Sequence, residues 1–210
     1  MGQNQLIGWN HYEDQKAQTN GLVFRDVRTA PFQIHGLYRP ETEPVFHRLP
    51  DDVARATSEG VAGLQYNTAG GRVRFRTDSQ RVAIAAVLPG LRLMPHMTLT
   101  GANGFDLYET VSGEAQYVHS FQPATDRHDA LTGVCGFPTK QMREFTLNFP
   151  LYNGVNALQI GLDADARLEA PAPYAVAVSY THLDVYKRQW WCWSGFLCCW
   201  RSGIFSRFKS

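Results

Sequence analysis

The sequence has little net charge and no long apolar run. Its 20 lysines and arginines nearly balance 19 aspartates and glutamates, so the formal net charge is +1. Nucleic-acid binding depends on basic side chains that neutralise phosphates, so this balance argues against a nucleic-acid partner. No stretch reaches the roughly 20 apolar residues that span a bilayer, so no membrane partner is expected.

The start of the sequence does not read as a secretory leader. Residues 1–6 are polar and contain neither the positively charged segment nor the apolar segment of a secretory signal. We therefore expect the cytoplasm as the default compartment.

Cysteine is scarce in the body of the sequence. Cys135 stands alone there, whereas Cys192, Cys198 and Cys199 crowd the last residues. A disulfide framework needs paired cysteines, and structural zinc needs four ligands at short spacing, so this distribution predicts neither. We expect no metal site and no cofactor. Cys135 has no adjacent base or cluster of positive charge, so we interpret it as a small packing residue.

The last part of the sequence differs abruptly from the rest. Residues 178–189 read VSYTHLDVYKRQ, which two inverted copies of one short DNA sequence can encode, and that DNA resembles the transposase mosaic end of sequencing-library adapters. Residues 190–210 then follow neither the helix period nor the strand period. A tail rich in Trp, Phe and Arg could lie at a lipid interface, but an anchor would leave the inverted repeat unexplained. We interpret residues 178–210 as a disordered, non-native tail.

Hydrophobic alternation predicts strands along most of the remaining sequence. Residues 22–28 alternate apolar and charged side chains, and in residues 72–77 Val73 and Phe75 alternate with arginines, as in half-buried strands. Residues 82–88 form a continuous apolar run, which is typical of a strand buried on both faces. Further strands are predicted at residues 97–100, 105–110, 116–121, 142–149 and 156–162.

Turn residues complete this pattern. Gly113 and Glu114 predict a hairpin that pairs the strand of Tyr108 with the strand of Tyr117. Residues 50–60 begin with a proline and two aspartates, which suit the first turn of a short helix. The predicted fold class is therefore all-β, a jelly-roll-like β-sandwich with one short helix.

The pattern also divides the sequence into segments. The β-sandwich occupies residues 22–163, and residues 1–21 are an N-terminal extension. Residues 164–177 are polar and then rich in alanine and proline, which predicts a linker that leaves the domain.

Four segments together resemble one family. They are GGRVRFRTDS at residues 70–79, MPHMTLTGANGFDLYE at 94–109, MREFTLNFPLYNGV at 142–155 and APAPYAVA at 170–177. Gly104, Phe105, Asp106, Leu107 and Tyr108 match the GxDLY motif for which an N-terminal domain of SGNH/GDSL-type esterases is named.

The resemblance implies a β-sandwich that is followed, in a parent enzyme, by an α/β SGNH catalytic domain. Such a parent would hydrolyse acyl or acetyl esters on a carbohydrate or small metabolite. The tail begins where the resemblance places the strand that leads to the nucleophile turn, so we expect the catalytic domain to be absent from this chain. Alone, the chain is expected to be inactive and its partner to be that catalytic domain.

No catalytic residue is predicted in the chain itself. SGNH chemistry needs a serine nucleophile and a histidine base three residues after an aspartate, and no Asp-x-x-His occurs in the sequence. Asp78 and Ser79 lie between two strands and are interpreted as a turn. The spacing of His96, His119 and His128 fits no short metal motif, so we interpret these histidines as structural or solvated.

The GxDLY motif itself has two interpretations. The strand period places Asp106 and Tyr108 on one face, and Phe105 and Leu107 on the other. In the simpler interpretation, the apolar pair fills the core while Asp106 accepts hydrogen bonds from a neighbouring loop. In the other, Asp106 and Tyr108, together with His96, form the rim of a cleft shared with the catalytic domain.

An alternative function is a carbohydrate-binding module without a catalytic role. β-Sandwiches can present aromatic rings to sugars, although a fold alone is only an analogy. The candidate rings for such a platform are Trp9, Tyr12, Tyr38 and Tyr66.

Overall fold

Ten strands and four short helices make up the described part of the chain, residues 11–124 and 126–174 of a computed structural model. The strands are β1 (Leu22–Asp26), β2 (Gln33–His35), β3 (Arg72–Thr77), β4 (Arg81–Val87), β5 (Phe105–Val111), β6 (Glu114–Phe121), β7 (Ala130–Gly136), β8 (Arg143–Asn148), β9 (Ala157–Asp163) and β10 (Leu168–Glu169). The helices are α1 (Tyr12–Gln18), α2 (Asp51–Thr57), α3 (Glu59–Leu64) and α4 (Leu99–Asn103).

The strands form two antiparallel sheets, which confirms the predicted all-β fold. Sheet A has the order β1-β9-β4-β7, and sheet B has the order β10-β3-β8-β5-β6. The short strands β2 and β10 both pair with β3, on the edge opposite β8. Buried residues from both sheets form one hydrophobic cluster, so the sheets pack face to face.

The core between the sheets is built from the inward side chains of alternating strand residues. Phe75 and Phe145 of sheet B are fully buried, and their ring centroids lie 5.5 Å apart. Ile84 and Ile160 contribute from sheet A and are equally buried. Burial of each such side chain stabilises the fold by about 1.5–3 kcal/mol. The side chains between them, such as Thr146 of β8, must point away from the core.

The helices differ from the single short helix that the sequence predicted. Residues 50–60 form two helices, because Ser58 has an extended backbone and its Oγ accepts a hydrogen bond from the N–H of Val61 at 3.2 Å, which begins α3. Residues 97–100, predicted as a strand, instead lead into α4. There Thr98 Oγ1 accepts from the N–H of Gly101 at 3.2 Å.

Strand β7 was not predicted, although it pairs with β4 along its whole length. Its glycines break the alternation that marks a strand in the sequence. Gly133 is required because a Cβ there would lie 2.9 Å from Cδ1 of Phe121, on the facing sheet. Glycine in a strand can therefore mark close packing rather than a loop.

The first part of the predicted linker, residues 164–177, contacts the sandwich. Leu168 pairs with Thr77 in β10, and the N–H of Ala172 donates to Glu144 Oε2 at 3.1 Å. The compact unit therefore extends to Ala172, and a second unit begins at Pro173. The predicted extension, residues 1–21, contains α1. Residues 178–210, interpreted as a non-native tail, lie outside the described residues.

The predicted hairpin pairing is confirmed. Strands β5 and β6 are antiparallel, and Tyr108 lies opposite Tyr117. The turn lies one residue earlier than predicted: its residues are Ser112 and Gly113, with φ angles of 54° and 87°, and Glu114 already begins β6. Two consecutive positive φ angles match the tight hairpin turn whose twist suits the flanking strands. The register shifts between Leu107 and Tyr108, so Val118 bulges from the pairing.

The predicted turn at Asp78 and Ser79 is anchored to the end of β9. Asp163 Oδ2 accepts hydrogen bonds from Ser79 Oγ at 2.9 Å and from the N–H of Arg81 at 3.0 Å, and its Oδ1 pairs with the Arg81 guanidinium. Burial alone would raise the pKa of Asp163, but the bonds from Arg81 and Ser79 outweigh it and lower the pKa below 3.8.

This anchor predicts a contribution to acid sensitivity. Because the folded pKa of Asp163 is depressed, its stabilisation is complete above the unfolded value near 3.8 and is lost as pH falls through the lower folded value. We expect Asp163→Asn to lose less unfolding free energy than wild type between pH 7 and about pH 3. Urea unfolding followed by far-UV circular dichroism measures this loss.

The matched control is Asp165→Asn, because the Asp165 side chain is 78% exposed in its ion pair with Lys140. The control should keep the acid dependence of the wild type. If Asp163→Asn loses as much stability on acidification as the wild type, Asp163 does not contribute to the acid sensitivity.

Candidate functional site

Residues 90–98 form a loop, here called the 90–98 loop, that joins β4 to α4 and carries apolar side chains to the surface. Leu93 is 80% exposed, more than any other large apolar side chain among the described residues. Pro95 and His96 are also exposed, whereas Met94 and Met97 are half-buried. A shallow cavity of about 230 Å³ is lined by Arg92, Leu93, Met94, Pro95, Met97 and Leu99.

A pair of buried asparagines holds the base of this loop. Asn103 Oδ1 accepts from the N–H of Arg92 at 2.7 Å, and Asn103 Nδ2 donates to the carbonyls of Arg92 at 2.9 Å and Leu99 at 3.0 Å. Asn153 Nδ2 donates to Asn103 Oδ1 at 2.8 Å and to the carbonyl of Gly90 at 2.6 Å. Because both residues are buried, these bonds determine the backbone path of the loop.

Sequence reasoning did not identify Asn103 or Asn153 as site residues. Each precedes a glycine, in Asn103-Gly104 and Asn153-Gly154, and such dipeptides suggest turns. The only signal in the sequence that could have marked them as site residues was their presence in two of the segments that carry the family resemblance. Their contact joins positions 50 residues apart, which no local pattern shows.

The GxDLY motif begins directly after α4. Gly104 has no room for a side chain, since a Cβ would lie 2.5 Å from the carbonyl oxygen of Thr100 and 2.8 Å from that of Phe121. Phe105 and Leu107 are fully buried in the core, as predicted. The motif therefore packs α4 and the 90–98 loop tightly against sheet B.

Asp106 and Tyr108 lie on the opposite face of β5, also as predicted. The carboxylate of Asp106 accepts from Ser120 Oγ at 2.5 Å, so its partner is on the neighbouring strand β6 rather than on a loop. Tyr117 Oη donates to Ser120 Oγ at 3.1 Å, and the ring of Tyr108 meets the ring of Tyr117 edge-on at 5.8 Å. These contacts join β5 to β6 and are sufficient to give both residues a structural role.

Polar side chains cover the rest of this face of sheet B, here called the outer face. Two rows of paired residues cross four strands: Arg72, Asn148, Asp106 and Ser120, and then Arg74, Thr146, Tyr108 and Tyr117. Arg74 pairs with Glu144 at 2.5 Å, and both side chains are largely buried. The N–H of Ala172 also donates to Glu144, so the chain after β10 contacts the outer face.

Comparison with known proteins identifies the family. Residues 22–168 match the model of the GxDLY domain, the N-terminus of SGNH-hydrolase-type esterases. This chain belongs to that family. A search of curated proteins found no match to the sequence of this GxDLY domain.

Two solved structures share the fold of this GxDLY domain. One is a protein described as a GDSL-like lipase from Bacteroides ovatus ATCC 8483, with 23% identity and a TM-score of 0.63 over 72% of this chain. The other is the salicylyl-acyltransferase SsfX3 from a tetracycline biosynthetic pathway, with 19% identity and a TM-score of 0.52 over 73% of this chain. In each case the match covers 43% of the other chain, so more than half of that chain lies outside it.

Three of the four serine hydroxyls in the described residues have structural partners, and the fourth serine, Ser112, lies in the turn between β5 and β6. Ser58 caps α3, Ser79 bonds to Asp163, and Ser120 bonds to Asp106. None of these three hydroxyls is hydrogen-bonded to a histidine ring, which is the contact that activates a serine nucleophile.

The three candidate histidines have different surroundings. His96 is exposed in the 90–98 loop, and His128 is exposed after β6. The ring of His119 packs edge-on against Phe121 at 4.9 Å, and burial lowers its pKa. Of the proposed cleft rim, the structure places Asp106 and Tyr108 on one face. His96 lies instead in the 90–98 loop, before α4.

Of the aromatic residues proposed for sugar binding, the three described tyrosines do not share one platform. Tyr38 and Tyr66 both contact His47, but their rings are inclined to it by 64° and 36°. Tyr12 lies elsewhere, beneath the guanidinium of Arg127 at 4.6 Å. Trp9 lies outside the described residues. A flat sugar ring would therefore meet no continuous aromatic surface here.

Metal ligands, membrane-spanning helices and thiols are the remaining candidate features of the described residues. No group of three or more His, Cys, Asp or Glu side chains there is arranged to hold a metal ion. None of the helices in that part of the chain is long and apolar enough to cross a membrane. Cys135 is a free, half-buried thiol whose pKa is raised by burial, so it stays protonated and weakly nucleophilic near neutral pH.

The asparagine pair predicts that Asn103→Ala destabilises the domain and loosens the 90–98 loop. The substitution leaves the N–H of Arg92 and the amide of Asn153 without their partner, at a cost of about 1–3 kcal/mol. Chemical denaturation measures the stability, and hydrogen exchange at Arg92 measures the loop opening. Asn148→Ala, on the outer face, is the matched control. Unchanged exchange in the loop would contradict the anchoring role of Asn103.

The contact between Asp106 and Ser120 predicts energetic coupling across β5 and β6. In a double-mutant cycle of Asp106→Ala and Ser120→Ala, we expect a coupling energy of about 0.5–1.5 kcal/mol in urea unfolding. The physical reason is that either substitution removes the same hydrogen bond. Losses that simply add would show that the bond does not stabilise the hairpin.

Proposed function

We propose that this GxDLY domain is the N-terminal accessory domain of an SGNH-type ester hydrolase. In this proposal it packs on an α/β catalytic domain of the parent enzyme and helps to form or shield the substrate cleft. The observation that carries the proposal is the family membership across residues 22–168. The structural partners of Ser58, Ser79 and Ser120 support it, because they leave these hydroxyls without a histidine base.

The chemistry belongs, in this proposal, to the catalytic domain. An SGNH domain would supply a serine nucleophile, a histidine base oriented by an aspartate, and donors for the oxyanion. The two proteins of similar fold are described as a GDSL-like lipase and an acyltransferase, and both names indicate acyl transfer. We propose acyl or acetyl esters of a carbohydrate or small metabolite as the substrate class.

The proposal predicts that the purified 210-residue chain does not hydrolyse p-nitrophenyl acetate above the rate in buffer. The reason is that no described serine hydroxyl is placed beside a histidine base. Release of p-nitrophenol, followed by absorbance, is the measurement. The positive control is the parent protein expressed with its native continuation, which should be active.

Two results would contradict this function. One is hydrolysis by the chain alone that is lost in Ser79→Ala or Ser120→Ala, because the activity would then reside in this domain. The other is an inactive parent together with binding of the purified chain to a glycan, because that pair of results describes a carbohydrate-binding module.

A further inference from the structure

We propose that the 90–98 loop is the contact through which this GxDLY domain binds the α/β catalytic domain of its parent enzyme. The proposal rests on the function proposed above. It adds a defined surface, the exposed tip around Leu93 and the cavity beside it, and it names an apolar side chain of the catalytic domain as the occupant.

The exposure of the loop is the first observation. Leu93 is 80% exposed, whereas the next most exposed large apolar side chain in the described residues, Tyr117, is at 61%. Leu93 is followed by Met94 and Pro95, so the apolar surface is continuous along the tip. Exposed apolar clusters of this kind mark interaction sites. Methionine side chains at the tip can adjust to the shape of a partner.

The rigid base of the loop is the second observation. Asn103 and Asn153 hold the backbone at Gly90, Arg92 and Leu99 through four hydrogen bonds of 2.6–3.0 Å, and a fifth bond of 2.8 Å joins the two amides. A loop that is held in place before binding loses little conformational entropy when it binds. A loop that only connects β4 to α4 does not need two buried amide side chains, because every hydrogen-bonding group of a buried amide requires a partner.

The size of the cavity indicates what enters it. Its volume of about 230 Å³ is smaller than the roughly 300–1,000 Å³ of typical small-molecule sites. Its lining is mainly apolar, with Arg92 as the only charged member. The cavity therefore suits one apolar side chain of a protein partner better than a whole ester substrate.

The position of the loop in the fold favours the catalytic domain of the parent enzyme as its partner. Helix α4 connects the loop to β5 in sheet B, and the chain after β10 also contacts sheet B, through Ala172 and Glu144. The two proteins of similar fold have more than half of their length outside the match. A catalytic domain that follows this chain would thus leave from sheet B, the sheet that α4 and β5 join to one end of the loop; the other end continues from β4 of sheet A.

The larger cavity near β4 carries no such inference. It has a volume of about 440 Å³ and is lined by Ser79, Gln80, Arg81, Gly136, Phe137, Lys140, Asp163 and Asp165. Its four charged groups are already joined in two ion pairs, Arg81 with Asp163 at 2.7 Å and Lys140 with Asp165 at 2.5 Å. No charge remains there to select a ligand.

The test places the photo-crosslinking amino acid p-benzoylphenylalanine at position 93 of the active parent protein. The matched control places it at position 64, because Leu64 of α3 is 50% exposed and lies outside the loop. After irradiation, peptide mass spectrometry should find position 93 joined to the catalytic domain of the same chain. Position 64 should give no such product.

A second variant keeps the test independent of crosslinking yield. Leu93→Asp should leave the thermal unfolding of the 210-residue chain unchanged, because Leu93 has few contacts within it. In the parent, the same change should lower kcat/KM about tenfold or more, as expected for an interface anchor. Leu64→Asp should leave kcat/KM unchanged.

The outcomes separate this proposal from the proposed function. If the parent does not hydrolyse esters, the proposed function fails first. If the parent is active, three results overturn the loop contact alone. These are crosslinks from position 93 only to substrate analogues, crosslinks only to other chains, and no crosslink together with unchanged kcat/KM in Leu93→Asp.

Discussion

The apolar layer between the two sheets is the constraint on which the rest of the structure depends. Each long strand must place alternate side chains in this layer, so β5 buries Phe105 and Leu107 and turns Asp106 and Tyr108 outward. The same packing requires Gly104 at the start of β5, because neighbouring carbonyl oxygens leave no room for a Cβ. The GxDLY motif is therefore determined mainly by packing in the core, and this packing also fixes the positions of its outward residues.

Two buried asparagines connect this core to the surface. Asn103 lies directly before the motif and Asn153 lies in the turn after β8, and their amides bond to each other and to the 90–98 loop. A buried amide is costly unless its hydrogen bonds are complete, so the pair favours one loop conformation over others. In this way the sandwich presents apolar side chains to solvent in a defined arrangement, which is what a domain that serves a partner requires.

Much of the fold could be predicted from the sequence, because strand alternation and tight turns are local signals. The strands of Phe75, Phe105 and Phe145 and the hairpin between Tyr108 and Tyr117 are confirmed. The predictions failed where a distant partner decides the structure. Strand β7 contains Gly133 because of a ring on the other sheet, and β10 forms from residues interpreted as a linker because β3 offers a free edge. The contact between Asn103 and Asn153 exists only in the tertiary fold, so composition and periodicity could not predict it.

The central claim is that this domain serves a catalytic domain encoded next to it. The most direct measurement is the genomic DNA sequence across the codon of Ala177, obtained by amplification without a transposase step. The account predicts that the reading frame continues into a strand and then a Gly-Ser-Ser or Gly-Asp-Ser turn. If the codons of VSYTHLDVYKRQ persist in the genome, the tail is native and the account of a missing catalytic domain is contradicted.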